Sequence, residues 1–195
     1  MNTMQPKLSS LDHMTHIDNL DSIFQNGLLA HNNPYKRKDI SNTEVNNRRT
    51  KREYIYGKSL HSYVPLYFNP RNAMMYKNRN ENIVILSFDT ILLRKQGVLF
   101  TNKNASTNSV KYYQSVQYLK QLNWEYIMAQ SWYGKIEEVK QVMMAEVLVP
   151  NKINIKYLKG IYCKDHVTKE MLLKRYNLKS HQVAVKPYLF FKGEY

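Results

Sequence analysis

The stretch YVPLYFNPRNAMMY, residues 63–76, carries four aromatic side chains and a central Asn-Pro pair. Its first part, Tyr63 to Phe68, is rich in residues that favour extended backbone and predicts a short aromatic strand. Asn69 and Pro70 form a turn signal that should end this strand. We expect the strand to be one of several in a domain that mixes strands and helices.

Further strands are predicted on the C-terminal side of this stretch. Asn82 to Phe88, within ENIVILSF, is a nearly continuous apolar run, which is typical of a buried strand. Shorter apolar segments predict strands at 98–101, 145–149 and 160–163, with one or two final strands within 182–191.

On the N-terminal side, LDHMTHIDNLDSIFQNGLLAHN, residues 11–32, predicts a strand followed by a helix. Asp18 or Asn19 can cap this helix, and Gly27 fits the left-handed position at its end. Helical spacing places three apolar side chains on one face: Leu20, Ile23 and Phe24.

Two more helices are predicted at 109–130 and 169–176. The apolar face of the first consists of Tyr112, Val116, Leu119, Leu122 and Tyr126. The polar stretch 32–58 is too long and too charged for an ordinary connection, so we interpret it as a functional loop with a short helix near 44–51. Because no linker, repeat or low-complexity tract interrupts the chain, we expect one mixed domain built on two short sheets.

Composition favours a polyanionic partner. The formal net charge is +14, from 29 Lys and Arg against 15 Asp and Glu. Neutralising phosphates would release counterions and steer encounter with nucleic acid, although ribosomal and membrane-surface proteins are also basic. Some of the 16 tyrosines could stack on bases or on a nicotinamide ring, and most should fill strands and core.

The single cysteine, Cys163, excludes an intramolecular disulfide and a multi-cysteine zinc site. Its apolar context, GIYC, predicts a buried thiol. No apolar run reaches the roughly 18 residues of a membrane span, and the N-terminus lacks the apolar segment of a signal peptide. We therefore expect a soluble, cytoplasmic protein.

The pair His13 and His16 has the His-x-x-His spacing that sometimes binds metal, with Asp12 and Asp18 close in sequence. No cysteine or third histidine joins them and the spacing matches no zinc pattern, so we expect no metal site. A histidine and threonine at a strand end can instead bond a ribose or an amide, and both histidines can equally be structural.

Glu146 interrupts an apolar strand in MMAEVLVP, residues 143–150. Burying a carboxylate there is costly unless it is paired or opens onto a cleft. It is either a solvent-facing residue at a strand edge, or a functional carboxylate that holds a ribose hydroxyl and stabilises an oxocarbenium-like transition state.

A basic cluster of Arg48, Arg49, Lys51 and Arg52 lies in the long polar loop. It could be a solvated face, a set of phosphate contacts, or a fork that grips a pyrophosphate. The chain has neither a GxGxxG turn nor a Walker A motif, so a Rossmann or P-loop nucleotide site is unsupported.

In this order, the segments resemble the DarT family of DNA ADP-ribosyltransferase toxins. The matching segments are HMTHIDNL from His13, VNNRRT from Val45, YVPLYFNPRNAMMY from Tyr63, KYYQSVQYLKQLNWEYI from Lys111 and MMAEVLVP from Met143. The resemblance runs from about Leu11 to the C-terminal strands, and the stretch 63–76 is its most specific part. The sequence departs from the family pattern at Asn72-Ala73 and at His61-Ser62.

The resemblance implies an α+β, ADP-ribosyltransferase-like fold: a central split mixed β-sheet with flanking helices in a single domain, 1–195. It implies that about 34–51 form an NAD-binding loop element and that about 105–146 present the substrate. Two catalytic residues are carried over, Glu146 and Arg49. The implied NAD-binding residues are His13, Met14, Thr15, Leu29 and Arg49. The implied DNA contacts are Arg71, Asn72, Ala73, Met74, Met75, Tyr76, Ser131, Trp132, Tyr133, Gly134 and Lys140.

The activity implied is transfer of ADP-ribose from NAD to a base of single-stranded DNA, with thymine favoured over guanine. By the family's habit the protein would be a toxin paired with an antitoxin that removes ADP-ribose. We also expect it to be a monomer. The alternatives are an ADP-ribosyltransferase that acts on RNA or protein, and a basic nucleic-acid-binding module without catalytic activity.

Overall fold

An eight-stranded mixed sheet lies at the centre of the protein, whose computed structural model describes residues 5–31, 33–35 and 47–192. Numbered in chain order, its strands lie side by side as β10 (Val183–Val185), β9 (Leu158–Cys163), β4 (Ile83–Phe88), β1 (Leu11–His16), β3 (Tyr63–Tyr67), β7 (Glu146–Pro150), β5 (Leu99–Thr101) and β6 (Tyr112–Tyr113). Neighbours are antiparallel except β9 and β10. A second sheet pairs β2 (Leu28–Leu29) with β8 (Lys152–Ile153). Two short sheets were predicted. The structure has two sheets, but one of them contains eight strands.

Short helices flank the sheet. The α-helices are α1 (Leu20–Asn26), α2 (Ala73–Lys77), α3 (Trp124–Ile127), α4 (Glu137–Val142) and α5 (His166–Tyr176). Single 3₁₀ segments occupy Ile17–Asn19, Leu60–Ser62, Thr90–Arg94, Val116–Gln121, Ile155–Tyr157, Ser180–Gln182 and Pro187–Leu189. Within the described ranges, none of these helices has the length and apolarity needed to cross a bilayer.

The sheet is split between β1 and β3. These strands share a single register pair, Asp12 with Tyr67, whereas β3 pairs with β7 along five positions. Beyond that pair, the His13 ring bridges the gap, with Nδ1 2.8 Å from the Pro65 carbonyl oxygen. In an antiparallel strand the N–H and C=O of one residue point to the same side, and the Pro65 carbonyl points toward β1. Because proline has no N–H, Pro65 offers no backbone donor on that side of β3. The split that the family resemblance implied is therefore present.

The two faces of β3 have different neighbours. Val64 and Leu66 are fully buried in the main hydrophobic core. Because side chains alternate along a strand, Tyr63, Pro65 and Tyr67 face the opposite way and line a cavity beside the split.

The predicted helix over 109–130 is wrong. Tyr112 lies in β6 and pairs with Thr101 of β5. Val116–Gln121 is a 3₁₀ segment. Asn123 then caps a new helix, where its side chain accepts from Tyr126 N at 3.1 Å. The apolar spacing correctly marked Leu119 and Leu122 as buried, but burial of these residues does not require one continuous helix. The final strands are reduced to β10, because Pro187 opens a 3₁₀ turn and cannot continue a ladder.

The other predicted strands and helices are confirmed within a few residues, apart from the short helix near 44–51, which lies mostly outside the described residues. Helix α5 begins at His166, three residues before its predicted start, with Asp165 accepting from Thr168 N at 2.7 Å. Gly27 ends α1 with φ +79°, and a Cβ there would lie 2.8 Å from Ile153 O, so glycine is required. Asn19 occupies the N-cap position of α1, but its side chain donates to Thr15 Oγ1 instead of capping.

Candidate active site

A cavity of about 540 Å³ opens beside the split in the sheet. Strands β1, β3 and β7, helices α2 and α4, and the segments 47–50 and 104–107 all reach it. The predicted site residues that line it are His13, Met14, Thr15, Leu29, Arg49, Ala73, Met74, Tyr76, Trp132, Lys140 and Glu146. The fold thus brings together both predicted catalytic residues and all the predicted NAD-binding residues.

Glu146 is the first residue of β7 and is only 1 % exposed. Its backbone N–H donates to Thr101 Oγ1 at 2.9 Å, and its register partner on β3 is Tyr67. The interpretation of Glu146 as a solvent-facing strand-edge residue is therefore wrong, since the carboxylate is buried at the cavity.

Arg49 is the ion-pair partner of this carboxylate. Its Nη1 donates to Glu146 Oε1 at 3.1 Å and to Oε2 at 2.8 Å. Burial is the largest influence and would lower the pKa of Arg49. The charge and hydrogen bond of Glu146, together with Tyr67 and Tyr112, act in the opposite direction and raise this pKa overall, so the guanidinium stays charged. Its other terminal nitrogen, Nη2, is buried and has no hydrogen-bond partner among the described residues.

The loop 104–107 holds Glu146 from the other side. Its residues 105–107 lie in the predicted substrate-presenting region, but the contact with Glu146 was not predicted. Ala105 N donates to Glu146 Oε1 at 3.0 Å, while Asn104, Ser106 and Thr107 line the cavity. The composition NKNASTNS marks a loop, but nothing in it shows which buried residue the loop will contact.

Glu53, also missed, organises the segment that carries Arg49. It is 1 % exposed and accepts from three backbone N–H groups, those of Ile55, Tyr56 and Lys58, at 2.8–2.9 Å. Burial would raise the pKa of Glu53, but these hydrogen bonds and one from the Tyr63 hydroxyl lower it overall. Its signal in the sequence was an acidic residue directly after the basic cluster at 48–52.

His13 presents a defined tautomer to the cavity. The Pro65 oxygen can only accept, so Nδ1 carries the hydrogen and Nε2 is an acceptor in the neutral ring. Burial lowers the pKa of His13, and the bond to Pro65 only partly opposes this, which favours that neutral ring. Close by, Thr15 Oγ1 accepts from Asn19 Nδ2 at 3.1 Å, and its own hydroxyl hydrogen has no acceptor in the part of the chain that the structure describes.

His16 does not join His13. The two lie three positions apart on β1, so their side chains leave opposite faces of the strand. His16 Nδ1 accepts from Asp18 N at 3.2 Å and caps the 3₁₀ turn that follows. In the ranges that the structure describes, no three His, Cys, Asp or Glu side chains are grouped closely enough to hold a metal ion.

An aromatic cluster of Tyr76, Trp132 and Phe191 forms one rim of the cavity, with ring centroids 5.3–5.7 Å apart. The Arg79 guanidinium lies 4.3 Å from the centre of the Tyr76 ring, and that of Arg71 lies 4.0 Å from the centre of the Phe191 ring. Tyr76 and Trp132 line the cavity itself.

Other predicted DNA contacts lie outside the cavity lining. Asn72 is fully buried and caps α2, and Met75 is 1 % exposed in the core. Neither has a surface open to DNA, so the prediction of contacts at these two positions is corrected. Arg71 donates from Nη1 to the carbonyls of Tyr188 and Phe190, which fixes the C-terminal segment. Contacts by Arg71, Ser131, Tyr133 and Gly134 stay predictions.

The predicted NAD-binding element, about 34–51, is described only in part. Its residues 36–46, and with them most of the predicted helix near 44–51, lie outside the described residues. At its two ends, Tyr35 and Arg48 line the cavity beside Arg49.

Comparison with known proteins gives consistent matches. The family model for "ssDNA thymidine ADP-ribosyltransferase, DarT" matches residues 13–191. A DNA ADP-ribosyl transferase of Thermus sp. strain 2.9 is 32 % identical over 164 residues, which cover 76 % of this chain and 78 % of that protein. A DNA ADP-ribosyl transferase–DNA ADP-ribosyl glycohydrolase fusion protein of Thermosipho africanus is 26 % identical over 96 % of this chain and 51 % of its own length, so this chain spans about half of it.

Solved structures agree with these matches. Thermus sp. 2.9 DarT in complex with ADP-ribosylated ssDNA superposes with a TM-score of 0.88 and 27 % identity, covering 98 % of this chain and all of that one. The same protein in complex with NAD⁺ gives a TM-score of 0.83 over 96 % of this chain. These matches confirm the expected α+β fold with its central split sheet, and the family model covers nearly the whole chain: this protein belongs to the DarT family.

Proposed function

We propose that this protein transfers ADP-ribose from NAD to a thymine base of single-stranded DNA, as a single catalytic domain over residues 1–195. The observation that carries the proposal is the buried pair of Arg49 and Glu146, 2.8 Å apart in the cavity of a DarT family member. The relatives bound to NAD⁺ and to ADP-ribosylated ssDNA support the choice of donor and acceptor.

The residues of the cavity fit NAD. Its volume, about 540 Å³, lies in the usual range for small-molecule sites. The buried Nη2 of Arg49 has no partner in the described ranges and needs an acceptor, which a phosphate or ribose oxygen supplies. His13 Nε2 and the Thr15 hydroxyl offer an acceptor and a donor for an amide or ribose, and Met14 and Leu29 give apolar contact. Segment 34–51 would complete this half of the site.

Glu146 stabilises the transition state. The bond between ribose C1′ and the nicotinamide nitrogen breaks, and nicotinamide leaves with the bonding electrons while positive charge develops on the ribose. A carboxylate held in a water-poor cavity stabilises that charge strongly. Oε1 already accepts from Arg49 and Ala105, whereas Oε2 accepts only from Arg49 among the described residues, so Oε2 can bond a ribose hydroxyl.

A ring nitrogen of the base then bonds to C1′, and its proton leaves to water. Arg49 is not the base for this proton, because its raised pKa keeps the guanidinium protonated. Its role is electrostatic: Nη1 fixes Glu146 and Nη2 holds the donor or the base.

DNA reaches the cavity over the aromatic rim. Single strands expose bases whose faces can stack on Tyr76 and Trp132, with little unstacking cost. Lys140 lines the cavity and can contact a phosphate, and the net charge of +14 favours the encounter. The region 105–146 would present the strand, with Arg71, Ala73, Met74, Ser131, Tyr133 and Gly134 as further contacts.

The biological setting is part of the proposal. The Thermosipho relative joins a transferase to a glycohydrolase in one chain, which supports a cognate hydrolase antitoxin for this protein and a role as a toxin that blocks replication. A cytoplasmic location follows from the proposed substrates, NAD and DNA. A monomeric state stays a prediction, which light scattering would test.

Nucleoside mass spectrometry tests the activity. Oligonucleotides of defined sequence, with thymine, guanine or neither, are incubated with NAD beside matched RNA and a basic carrier protein. We expect ADP-ribosyl-thymidine from single-stranded DNA and none with Glu146→Ala. Modification of RNA or protein alone would establish the alternative acceptor, and absence of any product together with no thermal shift by NAD would leave a binding module.

A further inference from the structure

Asn104 is a buried amide side chain at the cavity that the mechanism above does not use. It lies in the loop after β5, is 6 % exposed and lines the cavity. Its backbone is fixed: the N–H donates to Gln141 O at 2.9 Å, and the carbonyl accepts from Thr107 N at 3.1 Å. The side chain is therefore held on a rigid loop.

The orientation of the amide follows from its neighbours. Its Oδ1 accepts from Ser106 N at 2.9 Å and from Ser106 Oγ at 2.8 Å. Flipping the amide would place its NH₂ group against the Ser106 N–H, which can only donate. The nitrogen, Nδ2, is therefore the atom left for other partners.

That nitrogen lacks a strong acceptor. Its partner in the described part of the chain is the Met144 sulfur, 3.6 Å away, and a thioether is a weak acceptor. An NH₂ group has two hydrogens, and a buried amide donor normally has an oxygen partner. A ligand oxygen in the cavity would supply it.

The position of Asn104 indicates which ligand would supply this oxygen. Its neighbour Ala105 holds Glu146, so Asn104 lies next to the reacting centre. Its bonds to Gln141 and Met144 attach it to the side of the cavity formed by α4 and the residues after it. The proposed NAD contacts at 13–15 lie instead on β1. The acceptor base, rather than NAD, is the ligand expected on the Asn104 side.

We propose that Asn104 Nδ2 donates a hydrogen bond to the exocyclic carbonyl of the target base, and so restricts transfer to keto bases. Thymine and guanine carry an oxygen at O4 and O6, whereas cytosine and adenine carry an amino donor at the corresponding position. An amino group there would set donor against donor beside a buried amide. The inference rests on the proposed function and makes Asn104 its specificity-determining residue.

A substrate–protein double-mutant cycle tests the contact. The kcat/KM of the wild type and of Asn104→Ala is measured on one oligonucleotide carrying thymidine, 4-thiothymidine or 2-thiothymidine. The 4-thio group replaces the acceptor oxygen by weakly accepting sulfur and keeps the ring N–H. In the wild type we expect 4-thio substitution to lower kcat/KM about tenfold or more. In Asn104→Ala the thymidine rate falls to a similar level, and the two substrates differ by less than about threefold. The 2-thio substrate is the matched control, with the same ratio in both proteins.

Two results would overturn the proposal. One is an unchanged thymidine to 4-thiothymidine ratio in Asn104→Ala, which assigns Asn104 a structural role. The other is a loss of NAD affinity in Asn104→Ala, measured by calorimetry without DNA, which assigns it to the donor. Asn104→Ser gives a second variant if Asn104→Ala does not fold. Absence of any wild-type product on thymidine is a different result, and it removes the proposed function itself.

Discussion

Arg49 donates from a single nitrogen, Nη1, to both carboxylate oxygens of Glu146, and its second nitrogen is buried without a partner among the described residues. The two residues are 97 positions apart in sequence. Both charges are nearly out of water, with side chains 11 % and 1 % exposed. Removing either charge therefore leaves the other buried and uncompensated, which makes the pair sensitive in stability as well as in catalysis.

Glu146→Gln should abolish most transfer. The amide keeps the shape but not the charge, so we expect kcat to fall by about 10²–10³-fold or more. The unpaired guanidinium of Arg49 should also lower the free energy of unfolding by about 3–5 kcal/mol. Product is measured by mass spectrometry and stability by urea unfolding. Glu138→Gln is the control, because that side chain is 56 % exposed and does not line the cavity. Full transfer by Glu146→Gln would rule out its catalytic role.

Arg49→Lys tests whether the positive charge of Arg49 is sufficient for activity or whether its planar guanidinium is also required. A lysine restores the positive charge but has a single nitrogen, which cannot both fix Glu146 and fill the position of Nη2. We expect a drop in kcat/KM of about 10²-fold with most of the ion-pair stability retained. Unchanged kcat/KM in Arg49→Lys would contradict any role for the planar guanidinium.

The split of the sheet was implied by family resemblance, and one local feature could have indicated it from the residues alone. Pro65 lies inside the aromatic strand, and proline in a strand indicates an edge or an unpaired side. Here the unpaired side faces β1. Which strand lies across the gap could not be predicted locally, because the β1–β3 pairing joins segments more than 50 residues apart.

His13→Phe tests the hydrogen bond by which His13 bridges β1 and β3. The variant keeps a ring of similar size but loses both the hydrogen bond to Pro65 and the acceptor nitrogen at the cavity. We expect a loss of about 1 kcal/mol in unfolding free energy, and a several-fold weaker NAD affinity by calorimetry. His181→Phe, at an exposed position, should change neither quantity. A normal NAD affinity in His13→Phe would limit His13 to a structural role.

From the residues alone, a site residue could be predicted only where its chemical type differed from that of its neighbours in sequence. Glu146 stood out on an apolar strand, whereas Glu53 and Asn104 lay among polar residues in loops, where such residues are ordinary. Their importance comes from burial, at 1 % and 6 % exposure, and burial depends on packing between distant segments. The helix expected over 109–130 failed for the same reason, since Tyr112 takes its conformation from β5.

Trp132→Ala tests the aromatic rim. Stacking of a base on an aromatic side chain contributes about 1–3 kcal/mol, so affinity for single-stranded DNA should fall by roughly 5- to 150-fold. Affinity is measured by fluorescence anisotropy of a labelled oligonucleotide without NAD. Tyr118→Ala is the control, because Tyr118 is 36 % exposed and lies outside the cavity lining. Equal losses in the two variants would count against a specific rim.

Asp12 should give the protein an unusual dependence of stability on pH. It is 5 % exposed at the β1–β3 junction, and its Oδ1 has no hydrogen-bond partner within the described ranges. Burial raises the pKa of Asp12 from 3.8 to about 6, despite opposing contributions from Ser10, Ser87 and Lys186. The folded state therefore binds this proton more tightly than the unfolded state, and stability falls as pH rises from about 4 to about 6. A shift of this size corresponds to about 3 kcal/mol.

Asp12→Asn should remove the fall in stability between about pH 4 and about pH 6. We expect the variant to be more stable than the wild type by up to about 3 kcal/mol at neutral pH, with the difference shrinking to near zero at about pH 4. The lowered pKa of His13 has the opposite sign, since it makes stability rise with pH toward about 6.5, but it is present in both proteins and cancels in the difference. Urea unfolding across this range measures it, with Glu125→Gln at an exposed position as the control. A difference between wild type and Asp12→Asn that does not vary with pH would show that Asp12 titrates alike in the folded and unfolded states.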